Sequence, residues 1–114
     1  MRLINQTQNV ILAEDVFIAK TFFTRIKGLL GRKVFLPNQA IILDPCNSVH
    51  TFFMHFPIDI LFVDKDYKVI DTLPNFSPNR ISRTYWNSKK VIELPAGKLN
   101  ISNTKPADQL QLLD

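Results

Sequence analysis

Residues 44–63 read Asp-Pro-Cys-Asn-Ser-Val-His-Thr-Phe-Phe-Met-His-Phe-Pro-Ile-Asp-Ile-Leu-Phe-Val and hold both histidines and the one cysteine of the chain. Cys46, His50, His55 and Asp59 have the donor types for zinc or copper. Their spacing works against a simple chelate. In an extended strand Cys46 and His50 stand roughly 13 Å apart, at about 3.3 Å per residue. His50 and His55 are an odd number apart and point to opposite faces of a straight strand. A turn at residues 45–48 and a kink at Pro57 would have to close these gaps, and no zinc-ligand spacing is matched. No metal and no cofactor is assigned, with Cys46 and His50 the nearest to ligands. A thiol triad of Cys46, a histidine and Asp59 has the right groups. A lone cysteine is more often a small buried hydrophobe, however, and no nucleophile elbow is present.

Asp59 is the most informative single residue. Ile58, Ile60, Leu61, Phe62 and Val63 around it are apolar, so the strand reads as buried on both faces. A carboxylate there must be hydrogen-bonded or paired, because a bare one costs several kcal/mol. It either locks the fold, accepting backbone N–H groups or pairing with Arg25 or Arg32, or stands as a buried acid beside a pocket. Glu93 also interrupts an apolar strand. Beside Asp59 it would form a carboxylate pair suited to acid–base work. At simple alternation it would face out.

Charge is uneven. Net charge is +4, and residues 16–43 carry Lys20, Arg25, Lys27, Arg32 and Lys33 without an acid. Residues 76–92 carry Arg80, Arg83, Lys89 and Lys90, again without one. Such runs are usually solvated surface, and less often a face for an anionic partner. Gly28-Leu29-Leu30-Gly31 has the spacing of an RNA-clamping GxxG loop. Its leucines are needed for a helix face, and that reading is rejected.

The elements that would position these residues are short. The 114 residues suit one domain, 1–114, with an ordinary globular composition of 46% hydrophobic and 21% charged residues. Leu3-Ile4 and Val10 to Ala13 read as strands around a polar turn, and Val16 to Ala19 continues the sheet. Phe22, Phe23, Ile26, Leu29 and Leu30 mark one face of a helix over about residues 21–31, with Thr21 as N-cap and Gly31 as stop. Ile41 to Leu43, Val49 to Phe53, Ile58 to Val63, Lys68 to Leu73, Val91 to Leu94 and Gln109 to Leu113 read as further strands. Residues 64–67 form a hairpin turn and residues 74–86 a loop. The expected fold is α+β: a mostly antiparallel sheet, as a partly closed small β-barrel, with one packed helix. Polar residues interrupt the N-terminus too early for a secretory signal, and no apolar run approaches the roughly 20 residues of a membrane span. A cytoplasmic protein is expected.

Three blocks in order give the pattern a family likeness. They are Arg25…Gly28-Leu29-Leu30…Arg32; Cys46…His50-Thr51-Phe52-Phe53-Met54…Phe56-Pro57-Ile58-Asp59…Phe62-Val63-Asp64; and Val91-Ile92-Glu93-Leu94-Pro95-Ala96-Gly97. Together they resemble the bacterial and archaeal family called domain of unknown function 192, over roughly residues 10 to 112. The resemblance implies a small β-rich α+β fold with a helix on the sheet, and no established activity. It places Arg25, His50, Thr51, Met54, Asp59 and Glu93 in the motif blocks. That family has a Gly-Asp pair before its last strand, where this chain has Ala107-Asp108.

Three functions compete. The first is a module binding an unknown small molecule or protein in a partly apolar pocket near residues 46–63, with Arg25, His50, Thr51, Phe52, Met54, Asp59 and Glu93 at the site. The second is a hydrolase-like enzyme using Asp59, His50 and Glu93 as acids and bases. The third is a nucleic-acid or anionic-partner binder through Arg80, Arg83, Tyr85, Trp86, Lys89 and Lys90, where cations alternate with stacking rings. It ranks last because net charge is modest and no RNA-binding motif occurs.

Overall fold

The computed structural model describes residues 1–21, 34–52 and 54–114. Its strands are β1 (Arg2–Asn5), β2 (Val10–Ala13), β3 (Asp15–Ala19), β4 (Gln39–Leu43), β5 (Ile58–Val63), β6 (Val69–Phe76), β7 (Lys90–Pro95) and β8 (Leu110–Leu113). One short helix, α1 (Lys98–Ser102), lies between β7 and β8. The helix expected at about residues 21–31 falls, apart from Thr21, outside the described residues, and so do Arg25 and Arg32.

The strands form two sheets, in the orders β2-β1-β8 and β3-β4-β7-β5-β6. All pairings are antiparallel except β3 with β4. The barrel expectation is corrected here: the described strands make two separate sheets and no closed barrel. The pattern of burial accounts for this. Alternating strands of the small sheet give one apolar face, and the larger sheet is apolar on both faces, so they stack as layers.

One core lies between the layers. Leu3, Leu12 and Leu110 of the small sheet meet Ala40, Ile42, Leu61, Val63, Ile92 and Leu94 of the large one, with Leu99 of α1. A second core covers the far face of the large sheet. There Ala19, Ile41, Leu43, Ile58, Ile60, Phe62 and Val91 pack with Val49, Met54 and Tyr85. Strand β5 serves both cores and is buried throughout, Asp59 included, as the apolar residues on both sides of that acid predict.

Turn chemistry fits the sequence. Asp64 Oδ1 accepts the N–H groups of Asp66 and Lys68 at 2.8 and 2.9 Å and closes the β5–β6 hairpin. Ala107 has φ 77, the left-handed geometry that favours glycine, so the Ala107-Asp108 turn keeps the backbone shape of a Gly-Asp turn without the glycine. The strand expected at Val49 to Phe53 is not regular. Among its described residues only His50 makes a ladder-type bridge, to Ile81. Residues 47–51 and 80–85 instead run side by side as an irregular ribbon, joined by Thr51 N–H to Arg80 O, Ser82 N–H to Val49 O and Tyr85 N–H to Asn47 O at 2.8 to 2.9 Å.

Candidate functional site

Asp59 is 1% exposed and both its carboxylate oxygens are engaged by backbone. Oδ1 accepts the Asn75 N–H at 2.8 Å. Oδ2 accepts the N–H groups of Gly97 and Leu99 at 3.1 and 2.8 Å. Local structure explains each donor. Ile58 opposes Phe76 while Ile60 opposes Leu73, which leaves an extra residue on β6. Asn75, in that bulge with φ 51, turns its N–H inward. Gly97, φ 96, starts α1 without any side-chain cap of its own. Asp59 supplies the missing acceptor from another strand, and its negative charge sits at the favourable end of the helix. This is the locking role: the acid ties β5 to the β6 bulge and to the start of α1.

Glu93 lies on the other face. Asp59 opposes Leu94 across β5 and β7, whereas Glu93 opposes Ile60 on one side and Ile41 on the other. Alternation along β7 therefore sends Asp59 toward the inter-sheet core and Glu93 toward the second core. The expected carboxylate pair does not form. Glu93 is 4% exposed, so it does not face out either. Its Oε1 has no hydrogen-bond partner, and it is the one such buried side-chain atom among the described residues. Burial pushes its carboxyl up from 4.5 to about 7.

His50 is exposed and its ring stacks on Phe52 at 5.2 Å between centroids. No hydrogen bond joins it to either acid among the described residues. The structure thus separates Asp59, His50 and Glu93: one capped on the inner face, one outside, one facing the second core with Oε1 unbonded. The hydrolase constellation is not assembled.

The other candidates serve the ribbon. Thr51 is fully buried; its hydroxyl donates to Ser77 O at 2.6 Å and accepts the Arg80 N–H at 3.0 Å. Met54 is buried in the second core and Phe52 is at the surface. Cys46 packs against the same core, its Sγ 3.0 Å from Ser48 O. No group of three or more His, Cys, Asp or Glu side chains able to hold a metal occurs among the described residues.

Two polar features escaped the sequence reading. Tyr85 stacks on Phe62 at 4.0 Å and donates its hydroxyl to Asp71 at 2.6 Å. Asn5, fully buried, donates to Thr104 Oγ1 at 3.0 Å and Asp108 Oδ2 at 2.9 Å. Gln8 and the Lys105 N–H also donate to Asp108. Burial pushes the Asp108 carboxyl up, but these bonds outweigh it and hold it below its ordinary value. Pairs so far apart in the chain leave no local signal.

Comparison with known proteins bears on this arrangement. The model of the DUF192 family, described as uncharacterized ACR, matches residues 3–112. A UPF0127 protein of Thermococcus sibiricus is 32% identical over 115 residues, covering 95% of this chain and 72% of the relative. A UPF0127 protein of Pyrococcus horikoshii is 31% identical over 101 residues, covering 83% of this chain and 84% of the relative. Among solved structures, a protein of unknown function from Novosphingobium aromaticivorans superposes with a TM-score of 0.86 at 20% identity, covering 98% of this chain and 84% of that one. At that identity the likeness is one of fold.

Proposed function

We infer that this chain, which belongs to the DUF192 family, is a binding module for a small, largely apolar molecule bearing one basic or hydrogen-bond-donating nitrogen, with Glu93 as the acceptor. The carrying observation is the bare Oε1 of Glu93. An unsatisfied buried polar atom costs about 1–3 kcal/mol, so one oxygen left bare beside well-satisfied polar groups asks for a partner. A ligand N–H would be that partner.

The surroundings support a binder over a catalyst. Ile41 and Ile60 flank Glu93 across the strands, and Phe17, next along the row beyond Ile41, is 53% exposed at the β3 edge. Among the described residues this is an apolar wall with one ionisable group, the usual make-up of a small-ligand site. Acid–base catalysis would need a second titratable group within reach, and Asp59 is on the opposite face with both carboxylate oxygens bonded to backbone N–H groups.

The test is a two-dimensional amide NMR titration with benzylamine and cyclohexylamine, with toluene as neutral control. The amines are expected to shift the Ile41, Ile60 and Glu93 amides, more strongly as pH rises through about 7 and the carboxyl ionises. The Glu93→Leu variant should lose the response. Amines that leave those amides unmoved, or that move them equally in the variant, would remove this reading.

A further inference from the structure

The ribbon turns Val49, Thr51, Ser82 and Tyr85 inward, where all are buried. Its outer side carries His50, Phe52, Arg80, Ile81, Arg83 and Trp86, all exposed. Trp86 is 86% exposed and Ile81 64%, the former on a turn closed by the Ser88 N–H to Tyr85 O at 2.8 Å. Large apolar side chains usually meet water singly; here Ile81 bridges to His50, which stacks on Phe52. The two exposed arginines of the ribbon each lie over an aromatic ring. The Arg83 guanidinium lies 3.9 Å from the Tyr85 ring centre and that of Arg80 lies 5.2 Å from Phe76. No Asp or Glu occurs in residues 45–58 or 72–92, so the charges of the ribbon and its turn are all cationic; Asp71 of β6 approaches from behind, where it accepts the Tyr85 hydroxyl.

We propose that this face docks the protein on the surface of an anionic lipid bilayer, with Trp86, Ile81 and Phe52 entering the headgroup–acyl boundary and Arg80 and Arg83 meeting the phosphates. Two features of the patch together select this partner. Its excess of cations favours an anionic one. Its exposed aliphatic side chain gains only where there is apolar depth: a single nucleic-acid strand would stack on Trp86 but leave Ile81 in water. Tryptophan, apolar inside and polar at its N–H, is enriched at membrane interfaces for the same reason. No described helix is long and apolar enough to cross a membrane, and the docking uses only side chains of this face.

Trp86 is the only tryptophan, so the intact chain reports on itself. Its emission and co-sedimentation are followed with vesicles of phosphatidylglycerol and phosphatidylcholine in equal parts, and with pure phosphatidylcholine. The expected result is a blue shift and pelleting with the anionic vesicles alone, weakened about tenfold or more as salt rises and the Debye length falls from roughly 10 to 3 Å. Replacing Arg80 and Arg83 by Gln together should lower affinity about tenfold and flatten the salt dependence. Ile81→Ser should lower it several-fold and leave the salt dependence unchanged. Melting curves establish that these exposed substitutions leave the fold intact. Unshifted Trp86 emission on anionic vesicles would overturn the proposal. So would equal binding to both vesicle types, or an Ile81→Ser variant that binds like the parent. Quenching by oligothymidylate without vesicle binding would overturn it in favour of nucleic acid.

Discussion

Glu93 and Asp108 are both buried acids, yet their hydrogen bonds give them opposite pH signatures. Glu93 has an oxygen without a donor, and burial raises its carboxyl to about 7 from 4.5. Between those values the unfolded chain has released the proton and the folded chain still holds it. Stability therefore falls as pH rises from about 4.5 to about 7, and is level above. At about 1.4 kcal/mol per pH unit the loss is roughly 3 kcal/mol. The Glu93→Gln variant has no proton to lose. Denaturant unfolding should show it more stable than the parent at pH 8 by a large part of that amount and nearly equal at pH 5. Equal pH slopes in the two proteins would mean that Glu93 is solvated in solution. Asp108, held below its ordinary value, acts in the reverse sense. Its contribution is present above the unfolded carboxylate range and is lost as pH falls through its lowered folded value.

At the scale of elements, Asp59 joins three pieces of chain through one carboxylate. Asp59→Asn keeps the shape but gives one side an N–H₂ group. Whichever way the amide turns, the N–H of Asn75 or the pair from Gly97 and Leu99 then faces a donor. The expected cost is about 2–4 kcal/mol, since a charged acceptor is lost and at least one buried donor is orphaned. Amide exchange at Asn75 and Leu99 should rise together. Fast exchange at neither would mean that the bulge and α1 do not depend on this acid. The same residue shows what sequence reasoning can reach. An acid inside the run from Ile58 to Val63 announces that it must be satisfied, and β5 and its hairpin turn were legible end to end. Helix α1 was not, because its capping acceptor lies 38 to 40 residues away and Gly97 carries no side chain to signal a cap. Glu93 was recognised as an anomaly, but its face was not legible. The face follows from the pairing of β7 with β4 and β5, and register is a property of two strands, not one. The aromatic-rich stretch after Val49 looked like a strand, yet its backbone groups bond across to the irregular segment 80–85.

In the molecule as a whole, the first and last strands are neighbours. Strand β1 lies between β2 and β8, so the small sheet closes only when the two ends of the chain meet. The apolar pairs Leu3 with Leu112 and Leu3 with Ala13 set the register. Asn5 adds specificity at one end of β1. Its Nδ2 reaches Thr104 and Asp108, while its Oδ1 accepts the Gln8 N–H at 3.1 Å. Asn5→Ala would strip a donor from a buried carboxylate and an acceptor from a backbone N–H, at an expected cost of about 2–4 kcal/mol. It should also let the Asp108 carboxyl rise, because the Asn5 bond is the first of those that hold it down. The acid limb of the stability curve would then begin at higher pH than in the parent. Asn5 belongs to the small sheet, whereas Glu93 faces the second core on the far side of the large one. With no shared partner, the Asn5→Ala and Glu93→Gln effects should add to within about 0.5 kcal/mol at any pH. Marked non-additivity in urea midpoints would show that the two faces of the large sheet are coupled through β7, and that the layers do not act as independent packing surfaces.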